Sequence, residues 1–167
     1  DYSMPDSYAE RIEQELAYFD TVLEDAKNEL CVDEENIFSM GFSGGGSFSG
    51  VLGCRRDYIR AIGVGGSVIY FDQDDCTTAI PAAWVLIGND DSELTNGRKA
   101  YRDFFRDWAS CDSVDDAALP IPDGCFSYEN CDAETPVRYC TFDGGHSWPE
   151  FATGEVGDFF RQFYDAP

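Results

Sequence analysis

Apolar residues recur at alternating spacings of four and three through Ile12, Leu16, Phe19, Leu23, Ala26 and Leu30, the spacing of one face of an α-helix. The pattern predicts a helix from Pro5 to about Cys31, with Pro5 in the first turn and the apolar stripe laid on a sheet. Beyond it the period changes. Asn36 to Phe42 is short and apolar-rich after a turn sequence, and reads as a buried strand running straight into Ser43. Gly44 to about Arg56 is helix-compatible through Phe48, Val51 and Leu52, and Ala61 to Gly66 reads as a second strand. Residues 67–81 are polar and loop-like, and Ala82 to Ile87 makes a third strand. Asn96 to Ser110 sets Tyr101, Phe104, Phe105 and Trp108 on one helical side. Cys111 to Pro136 has little periodicity and reads as a disulfide-tied loop; Val137 to Phe142 is a last strand, and Val156 to Tyr164 a last helix.

Helices alternating with short apolar strands belong to the α/β class, a mostly parallel sheet with helices on both faces. No internal repeat or linker divides residues 1–167, so a single domain is expected. The chain opens on a helix with no strand before it, which implies N-terminal strands lying outside this sequence. The usual size of such a domain puts that part at roughly 80 to 120 residues.

Composition narrows the partners. Asp and Glu number 33 against 11 Lys and Arg, and the net charge is −22. Such a surface repels phosphate backbones and anionic lipid, so neither nucleic acid nor a membrane is the expected partner. It suits an ordinary acidic secreted protein or one adapted to high salt, where a Debye length of about 3 Å at 1 M hides self-repulsion. Seven cysteines without a Cys-x-x-Cys pair, beside a single histidine, argue against a zinc site and for disulfides in an oxidising, extracellular compartment. The expected pairs are Cys131 with Cys140, Cys111 with Cys125 and Cys31 with Cys54, leaving Cys76 as the odd one.

The chemistry concentrates at the strand ends. Gly41-Phe42-Ser43-Gly44-Gly45 matches Gly-x-Ser-x-Gly at a strand-to-helix junction, the context in which that motif presents a nucleophile on a sharp turn. The N–H of Gly44, at the helix start, is the candidate oxyanion donor. Serine needs a base, and the lone histidine, His146, follows the last strand in Asp143-Gly144-Gly145-His146. The orienting carboxylate belongs after the third strand, where Gly88-Asn89-Asp90-Asp91-Ser92 offers Asp91 first and Asp90 in reserve. Asp143 is a weaker candidate, since closeness in sequence does not supply the approach. Trp148 either lines the substrate site or packs in the core.

With these residues in view, the chain resembles the secreted feruloyl esterase and polyhydroxybutyrate depolymerase-like group of α/β-hydrolases. The likeness is carried by Leu30 to Asp33, Ile37 to Gly46, Cys54, Gly88 to Asp91 and Tyr139 to Pro149. It implies Ser43 as nucleophile, His146 as base and Asp91 as acid, with no metal or organic cofactor needed. Ile87 stands where the group carries a histidine, and the group's oxyanion loop precedes the helix that opens this chain. The implied activity is hydrolysis of feruloyl or acetyl esters of plant cell-wall polysaccharide. A polyhydroxyalkanoate depolymerase, a serine peptidase and an inactive binding module are the alternatives.

Overall fold

The computed structural model describes residues 5–71, 73–76, 81–92, 99–114, 124–132 and 135–164. They form two compact units, Asp1–Glu34 and Glu35–Pro167. The first holds α1 (Pro5–Glu29), in whose last turn the Lys27 ammonium lies 3.0 Å from Glu24 and 3.0 Å from Glu34. A cation there suits the partial negative charge at a helix C-terminus.

The second unit is a five-stranded sheet. Its elements are β1 (Ile37–Phe42), α2 (Gly44–Arg55), β2 (Ile59–Gly65), a short 3-10 turn (Gln73–Asp75), β3 (Ala82–Gly88), α3 (Ala100–Trp108), β4 (Gly124–Ser127), β5 (Val137–Phe142) and α4 (Ala152–Arg161). The strand order is β1-β2-β3-β5-β4, parallel throughout except for β4, which runs antiparallel to β5 at one edge. This is the mostly parallel α/β sheet expected from the alternation of elements.

Pleating divides the side chains between two faces. Trp84, Leu86, Ala61 and Phe142 meet Val156 and Phe159 of α4 on one side. On the other, Ile62 faces Gly53 of α2, and the Tyr101 hydroxyl of α3 reaches the Gly46 and Ser47 carbonyls of α2 at 3.1 and 3.0 Å. β3 is buried along its whole length, as a central strand covered on both faces should be.

The start of α4, one unexpected strand and all three cysteine pairs depart most from the sequence reading. α4 begins four residues early, at Ala152, because the turn after Pro149 already makes helical bonds: Ala152 N–H donates to Pro149 and Glu155 N–H to Phe151. Gly154 inside it masked the helical pattern. The segment read as a loop contains β4, too short to show alternation and stabilised by pairing with β5. That pairing sets Cys125 directly opposite Cys140, and these two are bonded. Cys111 joins Cys131 and Cys54 joins Cys76. Cys31, expected on Cys54, is the free and exposed cysteine, and Cys76, expected to be odd, is bonded. For α3, residues 96–98 of the expected start lie outside the described residues.

Candidate active site

The parallel registers bring four strand ends to one edge. Phe42 pairs with Gly65 across β1 and β2, Gly65 with Leu86 across β2 and β3, and Gly88 with Phe142 across β3 and β5. Whatever follows each strand therefore emerges on the same rim, the usual place for ligands in such sheets.

Ser43 follows Phe42 with φ 54° and ψ −123°, a strained backbone for a residue with a side chain. Three hydrogen bonds hold it. Its N–H donates to Gly65 O at 2.8 Å, and its carbonyl accepts from Ser47 N–H and Ser67 Oγ, both at 3.0 Å. The chain then turns into α2 so sharply that a Cβ on Gly41 would lie 2.3 Å from the Gly45 carbonyl carbon and 2.6 Å from Gly46 N. Both are backbone atoms that cannot rotate aside. Gly41→Ala is accordingly expected to destabilise the protein by about 3 kcal/mol, the upper range for overpacking. A thermal melt within a degree or two of the parent would contradict this account of the turn.

Asp91 and His146 arrive on loops pressed together backbone to backbone. Asn89 N–H donates to Phe142 O and Asp90 N–H to Gly144 O, each at 2.9 Å. A Cβ on Gly88 would sit 2.4 Å from the carbonyl oxygens of both Gly144 and Gly145. Asp91 is 1% exposed while Asp90 points to solvent, which separates two adjacent acids that composition alone could not. Asp143 is exposed as well.

His146 Nδ1 lies 2.9 Å from Asp91 Oδ2, and Nε2 lies 2.9 Å from Ser43 Oγ. An ionised carboxylate only accepts, so Nδ1 carries the hydrogen; Nε2 is left with its lone pair to accept from the Ser43 hydroxyl. The imidazole is steadied by the Phe42 ring, 4.7 Å away between centroids. Gly44 is the first residue of α2, so its N–H has no acceptor within the helix and lies at the positive helix end.

A cavity of about 170 Å³ opens here, lined by Ser43, Gly44, Ser47, Gly66, Val68, Tyr70 and His146. Trp148 is not among these residues. Its ring packs against Trp84 at 5.8 Å and over Gly65, where a Cβ would touch it at 2.7 Å, and its Nε1–H donates to Thr153. Trp148 is thus packing beneath the histidine loop, the second of the two readings its sequence position allowed. Val68 and Tyr70 lie in the stretch 67–81 that the sequence marks only as a polar loop. An aromatic residue shortly after Gly65-Gly66, on the rim where the strands end, was the available signal. A grouping of metal-type ligands among the described residues, Cys125, Cys140 and Glu155, offers no thiolates, because its two sulfurs are bonded to each other.

No family model matches the chain. Among curated proteins it is similar to feruloyl esterase C of Emericella nidulans, 26% identical over 145 residues that cover 84% of this chain and 53% of that protein. Feruloyl esterase D of Neurospora crassa is 35% identical over 68 residues, 38% of this chain and 23% of its own length. The chain thus spans about half the length, or less, of these relatives. Among solved structures, esterase PE8 superposes with a TM-score of 0.63 at 15% identity, covering 90% of this chain and 61% of that one. This likeness establishes the α/β-hydrolase fold.

Proposed function

We propose that this chain carries the site of a secreted serine carboxylesterase, acting through an acyl-enzyme on feruloyl or acetyl esters of plant cell-wall polysaccharide. The observation that carries the reading is the unbroken relay from Asp91 through His146 to Ser43, two contacts of 2.9 Å on one sheet rim. Similarity to feruloyl esterases supports the ester class. Three disulfides favour an oxidising compartment, and no helix among the described residues is long and apolar enough to cross a membrane.

In this mechanism Ser43 Oγ attacks the ester carbonyl carbon while its proton passes to His146 Nε2. Asp91 holds the ring in the required tautomer and stabilises the imidazolium without taking the proton. Negative charge developing on the carbonyl oxygen is met by the Gly44 N–H and the N-terminus of α2, groups already oriented before reaction. The imidazolium then gives its proton to the alcohol oxygen as the C–O bond breaks, leaving the acyl group on Ser43. Water, deprotonated by His146, attacks that acyl carbon; the bond to Ser43 Oγ then breaks as the imidazolium returns its proton to that oxygen, freeing the acid and restoring the serine.

A panel of methyl ferulate, an acetylated sugar, a hydroxybutyrate ester and a peptide anilide tests the reading. Turnover of the ferulate or acetyl ester is expected, with little or none of the anilide. Preferred cleavage of the anilide would make the site a peptidase. No turnover of any substrate, with no labelling of Ser43 by a fluorophosphonate, would make it an inactive module.

A further inference from the structure

We propose that Ser67 is a positioning residue of this site: its buried hydroxyl fixes the peptide between Ser43 and Gly44 so that the Gly44 N–H faces the reacting carbonyl oxygen. The inference rests on the hydrolase reading of Ser43 and His146, and it adds to that reading what keeps the oxyanion donor aimed.

The chain leaves β2 so that one side chain turns back into the nucleophile's turn. Gly66 takes φ 54°, a left-handed conformation that suits glycine, and its N–H donates to Leu86 O at 3.0 Å. A Cβ there would lie 2.6 Å from the Phe42 ring and 3.2 Å from His146 Cε1, so the backbone runs close against both. Gly66 and Val68 line the cavity, whereas Ser67 between them is not part of the lining and is 4% exposed. The space for its hydroxyl depends on Gly46, where a Cβ would fall 2.0 Å from Ser67 Oγ.

The hydroxyl bonds to the carbonyls that hold Ser43. Ser67 Oγ lies 3.0 Å from Ser43 O and 2.8 Å from Gly65 O, and its single hydrogen is shared between them. Both acceptors govern the same residue. Gly65 O also receives the Ser43 N–H at 2.8 Å, and Ser43 O also receives the Ser47 N–H at 3.0 Å. Val68 N–H, donating to Ser47 Oγ at 3.2 Å, ties the far side of Ser67 to the first turns of α2.

The effect reaches the oxyanion site through one planar unit. The Ser43 carbonyl and the Gly44 N–H belong to the same peptide, and in a trans peptide they point in opposite directions. Holding the carbonyl on Ser67 and Ser47 therefore turns the N–H away from them, and Gly44 lies in the cavity lining beside Ser43 and His146. The strain at Ser43, φ 54° and ψ −123°, favours a rotation of this peptide that would relieve it. The helical bond from Ser47 resists that rotation from one element, and Ser67 supplies a second donor from another. An oxyanion donor works by being oriented before the charge develops, so a peptide free to swing would stabilise the transition state less.

The test measures kcat and KM for p-nitrophenyl acetate, and inhibition by phenylboronic acid, whose serine adduct is a tetrahedral anion. It uses the full-length protein and its Ser67→Ala and Ser67→Thr variants. Ser67→Ala is expected to fold, since each carbonyl keeps its backbone donor. Its kcat should fall about tenfold, short of the loss of about 10² or more that follows outright removal of an oxyanion donor. KM should stay within about twofold, because acylation and deacylation both pass through an oxyanion and slow together. The boronic acid inhibition constant should rise about tenfold in step with kcat, a change that a merely structural role for Ser67 would not produce. Ser67→Thr, which keeps a hydroxyl, should stay within about threefold of the parent in both measurements. An unchanged kcat in Ser67→Ala overturns the proposal, as does a loss carried by KM alone, a fall in kcat with boronic acid inhibition unchanged, or equal losses in the two variants. Each of these outcomes, seen with an active parent, spares the hydrolase reading. A parent that neither cleaves the ester nor is labelled at Ser43 by a fluorophosphonate removes both.

Discussion

Ser43→Ala is expected to lower ester turnover by about a millionfold under the proposed mechanism, the loss seen when the nucleophile of a serine hydrolase is removed. The size of the effect follows from the geometry. Without Oγ, the His146 lone pair at 2.9 Å has no proton to take from the enzyme, and no covalent intermediate can divide the reaction into two easier steps. The alanine has room, because it only deletes an atom, and the strained φ of 54° is imposed by the surrounding backbone bonds to Gly65, Ser47 and Ser67. The variant should therefore fold and bind substrate normally while kcat falls. A residual rate of about 10³-fold over water is expected from the Gly44 N–H and from binding alone. Retention of most activity, measured with enzyme freed of parent contamination, would remove Ser43 from the mechanism.

Asp91→Asn carries the second large effect, a loss of about 10⁴ in kcat. Asparagine fills the same space but offers an NH₂ where Nδ1–H now donates. The ring is then driven towards the tautomer with hydrogen on Nε2, which cannot accept from Ser43. The charge that stabilises the imidazolium is lost as well, in a position 1% exposed where water cannot replace it. Asp90→Asn is the matched control: its side chain is exposed, and its ordering contribution is a backbone N–H to Gly144 that asparagine retains. Its kcat should stay within a few-fold of the parent. Equal losses in the two variants, or a larger one in Asp90→Asn, would assign the acid differently.

Much of the sheet was legible because its strands announce themselves locally. Asn36 to Phe42, Ala82 to Ile87 and Val137 to Phe142 are short apolar runs between turn residues, and the structure places strands at 37–42, 82–88 and 137–142. The strand Gly124–Ser127 carries no such signal, since four residues at a sheet edge take their conformation from the partner they pair with. The cysteine pairs were misread for the same reason. Nearness along the chain favoured Cys111 with Cys125, but the antiparallel register sets Cys125 across from Cys140, and that leaves Cys131 for Cys111.

By itself the sequence determined the class of sheet and the three side chains worth watching. Alternation of element types dictates a parallel arrangement, and Ser43, Asp91 and His146 each follow the end of a strand within it. Only the tertiary structure decided what surrounds them: that Asp91 rather than Asp90 turns inward, that Trp148 packs on Trp84 and over Gly65 outside the cavity lining, and that Tyr70 is part of that lining. The physical reason is one of range. Periodicity and turn chemistry act between residues a few positions apart. The direction of an individual side chain on a rim loop is set by contacts such as Gly88 against Gly144, which lie far apart in the chain and touch only once the strands have paired.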